Sequence, residues 1–178
     1  MNHRHPLFAR WYARTSLLME RGIAVHRAKL LAGLSGKVIE VGAGNGLNFR
    51  HYPSTVAEVV AVEPEPYLRE LAVAAAERAP VPVRVVAGTA DRLSAAESEF
   101  DGGVASLVLC SVPDQAVALT ELRRAIRPGG ELRFFEHVRA DTPRWRGCSG
   151  WSTRCGRCSE AAATPAVTRW ARSGRPGS

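Results

Sequence analysis

The 178-residue sequence predicts an α/β protein built on a doubly wound parallel sheet. Two observations carry this reading. Near-continuous apolar runs of strand length alternate with helical patterns, and a glycine-rich loop follows the first of those runs. Strands covered on both faces read as unbroken apolar runs, and helical crossovers between them make the strands parallel. The length accommodates one domain with a real core, and a hydrophobic fraction of 46% is that of a globular chain.

Residues 1–34 read as an N-terminal helical segment. In PLFARWYARTSLLMERGIAVHRAKLLAGL, Leu7, Trp11, Thr15 and Leu18 share a stripe, while Arg10, Arg14 and Arg21 fall mostly off it. The stripe predicts a helix packed across the mouth of the domain. The sharper alternative is an amphipathic segment in weak contact with a membrane surface. Gly22 interrupts the stripe and favours packing.

Residues 35–140 carry the alternating pattern. KVIEVG is a buried strand, followed by the glycine loop and a helix near residues 46–52. EVVAVEP is the second strand and PYLRELAVAAAERA a helix rich in Ala and Leu. VRVVAGT and FDGGVASLVLCSV are the third and fourth strands, and DQAVALTELRRAI is a helix. That helix ends at Arg127-Pro128-Gly129-Gly130, a stop-and-turn signal, before the fifth strand GELRFFEHV. Sheets of this kind place ligands at the carboxyl ends of the strands, the edge at which the glycine loop leaves the first strand.

The net charge of +7 divides unevenly along the chain. Residues 1–31 and 140–178 each carry +5, whereas the body between them carries −3. An acidic body with basic ends is not a groove that follows phosphates, so no nucleic-acid partner is expected. No apolar run approaches the ~18 residues that span a bilayer, and no secretory signal opens the chain. A cytoplasmic protein with a small-molecule partner is the expectation; its oligomeric state is left open.

The chemistry concentrates at residues 38–49, VIEVGAGNGLNF. Glycines at 42, 44 and 46 give GxGxG, one residue shorter than the GxGxxG of dinucleotide-binding domains. Glu40 precedes the loop, where an acid suits a ligand that presents an ammonium group. Glu63 closes the second strand, 17 residues after Gly46, where a carboxylate can accept from two ribose hydroxyls. Both NAD and S-adenosylmethionine offer such a ribose; the glycine spacing and Glu40 favour the sulfonium cofactor. Asp91 follows the third strand, positioned either to accept from an adenine amino group or to cap a helix over RLSAAE. SLVLCSVPD ends the fourth strand in small polar residues that border a transferred methyl, and Cys110 within it reads as an inert buried thiol.

IEVGAGNG, VAVEP, AGTAD, LVLCSVPD and RPGGELRFFEHV, in this order, resemble class I S-adenosylmethionine-dependent methyltransferases over about residues 5–140. Asn48, Phe49, Tyr52 and Pro53 (NF..YP), with LVLCSV and PGG....EHV, are similar to the branch that includes alkyl thiol methyltransferases. The resemblance implies a Rossmann-like sheet and S-adenosylmethionine as cofactor. It implies that Gly42, Ala43, Gly44, Asn45, Gly46 and Asn48 form the loop around the methionine part, with Glu40 near its amino group. Glu63 with Pro64 then serves the ribose, and Ala90 and Asp91 the adenine. Leu109 to Ser111 border the acceptor, a small molecule and on this branch a thiol. A thiol is already partly ionised near neutral pH, so no dedicated base is required and no catalytic residue is named. His137, after the fifth strand, is a weak candidate. Two other functions stand as alternatives: a NAD-binding oxidoreductase, and a non-catalytic cofactor-binding module.

The resemblance stops near Pro143. Family members continue with a helix and a final strand pair, whereas residues 141–178 read as an irregular, Arg-rich tail. Cys155 and Cys158 have the spacing of half a zinc site, but no His follows His137 and no four-ligand set is assembled, so no metal is expected. Read one base over with suitable synonymous codons, the tail continues much as the thiol methyltransferase branch does. The expectation is a frameshifted tail, a sheet lacking its last strand pair, and impaired activity.

Overall fold

The computed structural model describes residues 6–136 and 164–169. A long first helix, α1 (Pro6–Leu31), precedes β1 (Gly36–Val41), whose last four residues are all buried. β2 (Val56–Val62), α2 (Pro66–Ala76) and β3 (Val83–Val86) follow, then β4 (Phe100–Ser106), α3 (Gln115–Ala125) and β5 (Ile126–Glu136). The six-stranded sheet has the order β3-β2-β1-β4-β5-β6. β1 to β5 are mutually parallel, as their unbroken apolar runs predict.

Side chains alternate across the sheet and so build two cores. Val38, Val59, Val104 and Phe135 pack with Leu30 and Leu31 of α1 and Ala72 of α2. On the other face Ile39, Val60, Ala105 and Leu132 pack with Ala118 and Leu122 of α3. Both helices that start after a strand are capped by an acid. Glu65 accepts from Leu68 N–H ahead of Pro66, and Asp114 Oδ1 accepts from Ala116 and Val117 N–H. β1 lies between β2 and β4, so the chain leaves it in opposite directions; this opens the crevice at its carboxyl end.

Five local expectations change. β5 already starts at Ile126, so residues 127–130, expected as a turn ahead of the strand, lie within it, where the register against β4 shifts. The helix over residues 46–52 is a single 3-10 turn, Phe49–His51. No helix follows Asp91; a single bridge between Thr89 and Arg92 stands there, so the capping role falls away. β4 stops at Ser106: Leu107 takes a left-handed backbone (φ 56°), and Leu109–Ser111 coil into a second 3-10 turn. Within 141–178, expected to be irregular, Thr164–Arg169 form β6, an antiparallel edge strand running along Glu131–Glu136 of β5. The cysteine pair Cys155 and Cys158, for which no metal is expected, and His137 lie outside the described residues.

The N-terminal helix does cross the mouth of the domain, but on the face opposite to the one its apolar stripe suggests. Leu7 and Leu18 are 81% and 80% exposed, and Trp11 also faces solvent. The buried face is formed by Ala9, Ala13, Glu20, Arg27, Leu30 and Leu31. Small residues let α1 approach Leu68 of α2 closely, and a charged pair replaces an apolar contact in mid-helix.

Candidate functional site

The glycine loop leaves β1 with Gly42 and Ala43 N–H both donating to Val62 O of the neighbouring strand, at 2.9 and 3.2 Å. Gly42 and Gly44 have φ of 64° and 57°, the left-handed region that a Cβ disfavours. A Cβ on Gly42 would overlap the Val108 side chain, so the turn after β4 packs directly on the loop. At Gly44 a Cβ would meet only the Tyr12 ring, 3.5 Å away at Cε1. The space over Gly44 is thus bounded by the loop below and by α1 above.

Glu63 directly follows β2 beneath that space. Its Oε2 accepts Gly44 N–H at 2.7 Å and its Oε1 accepts Glu65 N–H at 2.9 Å. Burial pushes this carboxyl above its ordinary range, opposed by those two backbone donors. Pro64 O accepts from Arg69 Nη1 at 3.2 Å, which fixes the chain leaving Glu63. Ala90 and Leu109 lie in one apolar cluster with Val62, whereas Asp91 is solvent-exposed.

Glu40 is 1% exposed and lies under the loop. Its Oε1 accepts from Asn48 Nδ2 at 2.8 Å and its Oε2 from the Tyr52 hydroxyl at 2.7 Å. Burial pushes its pKa up to about 7, opposed by the Tyr52 and Asn48 hydrogen bonds and by the Arg27 charge. The NF..YP pattern has its physical account here, because Asn48 and Tyr52 are the two side chains that hold Glu40. Asn48 Oδ1 in turn accepts from Arg27 Nη1 at 2.7 Å, and Arg27 Nε donates to Glu20 at 3.1 Å. Asn45 Nδ2 donates to Ser16 Oγ at 3.1 Å, a second tie between loop and α1.

Tyr12, Glu20, Arg27 and Glu136 are the site residues that sequence reasoning missed. Glu20 and Arg27 stand seven apart on one face of α1 and pair at 3.1 Å, both side chains buried. Burial raises the Tyr12 phenol above its ordinary range, against the lowering effect of Arg27, and the ring stands over Gly44. Cys110, expected buried, faces solvent. Partial burial and the adjacent Glu136 carboxylate push its pKa up to about 11, so it is a poor nucleophile.

The residues present fit S-adenosylmethionine. Left-handed glycines form a cradle that a side chain at Gly44 would fill, and a buried carboxylate stands at its rim. Among the described residues no His, Cys, Asp and Glu group could hold a metal ion.

Comparison with known proteins agrees with this geometry. The chain is 39% identical over 122 residues to the human thiol S-methyltransferase TMT1B, a match covering 66% of this chain and 50% of that protein. It is 38% identical over 119 residues to human TMT1A, covering 64% and 48%. The chain thus spans about half the length of these relatives. In fold it is similar to the Bacillus subtilis YcgJ protein, at a TM-score of 0.61 and 21% identity, covering 71% of this chain and 54% of that one. A Mesorhizobium loti S-adenosylmethionine-dependent methyltransferase aligns at a TM-score of 0.53 and 21% identity, covering 65% and 53%. The family model described as a methyltransferase domain matches residues 39–134, more than half of the chain, and the protein belongs to that methyltransferase family.

Proposed function

We propose that this chain binds S-adenosylmethionine at the carboxyl edge of β1 and β2 and transfers its methyl group to a small-molecule thiol. The observation that carries the acceptor is the 39% identity to a thiol S-methyltransferase. The cofactor supplies an activated methyl on a sulfonium sulfur. Gly42, Ala43, Gly44, Asn45, Gly46 and Asn48 hold its methionine part, with Glu40 acting through Asn48 and Tyr52 to set the loop. Glu63 accepts from the ribose hydroxyls, and Pro64 orients Glu63. Ala90 offers the adenine an apolar wall, with Asp91 at its solvent side. Leu109 and the turn around it border the acceptor. Tyr12 and α1 exclude water from the reacting atoms, and positioning at near-attack distance supplies most of the rate.

The test is formation of S-adenosylhomocysteine with a panel of alkyl and aryl thiols. Turnover with thiols supports the reading. Because demethylmenaquinone methyltransferases also match, one at 36% identity over 110 residues, turnover with a demethylmenaquinone and with no thiol would replace the acceptor.

Two finer readings belong to the same proposal. The outward row of α1, with Leu7, Trp11, Leu18 and Val25 beside Arg10, Arg14 and Arg21, makes weak contact with an anionic membrane surface. Among the described residues no helix is long and apolar enough to cross a membrane. The protein works in the cytoplasm; cell fractionation checks this, and co-sedimentation with anionic vesicles checks the surface contact.

A further inference from the structure

The two halves of α1 are held to the body by different means. From Glu20 onward the anchors are buried. Glu20 accepts from Arg27 Nε at 3.1 Å and from Arg50 Nη2 at 2.5 Å, and Arg27 Nη1 donates to Asn48 Oδ1 and Ser106 Oγ at 2.7 and 3.3 Å. Leu30 and Leu31 belong to the main core, and Arg133 Nη1 of β5 donates to Leu30 O and Ala32 O at the end of the helix. Ahead of Glu20 the packing is lighter. Ala9 and Ala13 pack with Leu68 of α2 in a cluster separate from both cores. Arg10 lies over the Tyr67 ring at 5.7 Å, and Ser16 Oγ accepts from Asn45 Nδ2 at 3.1 Å.

The stretch that joins the halves is weak. Leu17, Leu18 and Met19 are exposed, so this turn of helix buries little apolar surface. Just ahead of it, Thr15 Oγ1 bonds to Trp11 O and Tyr12 O at 3.0 and 3.2 Å, and Ser16 Oγ to Ala13 O at 3.1 Å. Hydroxyls turned back onto preceding carbonyls weaken and bend helices. Segments with few buried apolar contacts open locally at free energies well below that of global unfolding. Tyr12 rides on this segment. A Cβ on Gly44 would stand 3.5 Å from its Cε1 and 3.7 Å from its hydroxyl oxygen. On that side the gap between loop and ring admits a methyl group, and the methionine chain of the cofactor is longer than that.

We propose that residues 6–19 form a lid that rests on the glycine loop in the free protein and undocks to admit the cofactor, pivoting at residues 15–19 against the anchored residues 20–31. This rests on the cofactor reading above and adds the route of entry. Undocking breaks the Ser16–Asn45 hydrogen bond and lifts Ala9 and Ala13 off Leu68. The Glu20–Arg27 pair and the Arg133 contacts stay in place. Once the cofactor is seated, the lid closes over it and Tyr12 covers its outer side. Opening of the lid therefore limits both entry and release.

Hydrogen exchange of the free protein tests the lid without any ligand. Amides of residues 12–19 should exchange faster than those of residues 24–31. Leu68→Ala takes the largest buried side chain from the small cluster and leaves α1 untouched. It should speed exchange at 12–19 by roughly tenfold or more and leave 24–31 unchanged. Thr15→Ala removes a back-bonded hydroxyl and improves helix propensity, and should slow exchange at 12–19 about threefold. Stopped-flow binding of S-adenosylhomocysteine should follow the same order, with association faster in Leu68→Ala and slower in Thr15→Ala. Equal protection over both halves of α1, or a Leu68→Ala variant that speeds both alike, would overturn the lid. Association unchanged in both variants would overturn it too and leave the cofactor reading standing. A wild type that binds no S-adenosylhomocysteine would overturn the cofactor reading and with it the entry route, while the exchange rates report separately on undocking.

Discussion

Glu40→Gln should flatten the pH dependence of stability between about pH 4.5 and pH 7. In the folded protein Glu40 is 1% exposed, and burial lifts its pKa from 4.5 to about 7. The folded state therefore holds a proton that the unfolded chain releases over this interval. The stability that the neutral acid contributes is fully present below about pH 4.5 and is lost as pH rises through about 7. A shift of that size corresponds to roughly 3 kcal/mol, against a typical total of ~5–15 kcal/mol. The amide cannot ionise, so the variant escapes this loss. It gives up one of the two hydrogen bonds from Asn48 and Tyr52, a pH-independent cost of about 1 kcal/mol. Urea denaturation of both proteins at about pH 4.5 and pH 7.5 measures the difference. The variant should gain roughly 3 kcal/mol relative to wild type between the two conditions. A difference that stays constant would refute the buried, proton-holding Glu40 and the network drawn around it.

Gly42→Ala places a Cβ on left-handed backbone and into Val108, and we expect a loss of roughly 2–4 kcal/mol with weakened cofactor binding, read by thermal unfolding and calorimetry. Arg27→Met removes the cation that joins Glu20, Asn48 and Ser106, and should cost roughly 3 kcal/mol in urea denaturation. A change below ~0.5 kcal/mol would mean α1 is not tied to the loop in this way. Leu18→Glu, on the exposed row of α1, should change stability by less than ~0.5 kcal/mol while abolishing sedimentation with anionic vesicles. Retained sedimentation would contradict the surface contact.

How much of this was legible in sequence depends on what each residue packs against. Strands β1, β2 and β4 were readable because burial on both faces leaves a continuous apolar run, as in KVIEV and VAEVVAV. The glycine loop was readable because left-handed backbone at Gly42, Gly44 and Gly46 restricts the residue type. The orientation of α1 was not readable, because its buried face uses Ala9, Ala13 and the Glu20–Arg27 pair while Leu7 and Leu18 face out. Apolar periodicity has no means of scoring a buried ion pair. The end of β4 was missed because SLVLCSV is as apolar as a strand. What ends the strand is Glu136, 28 residues beyond Val108, capturing two backbone amides. β6 was missed because its partner along β5 is remote in sequence and TPAVTR carries Pro165 and three polar residues among its six.

The central claim is that the loop and Glu63 form a site for S-adenosylmethionine. Calorimetric titration of the chain with S-adenosylmethionine, S-adenosylhomocysteine and NAD tests it most directly. The account predicts binding of both sulfur compounds, no binding of NAD, and an affinity reduced by roughly tenfold or more in Glu63→Ala. Heat with NAD and none with either sulfur compound would contradict it.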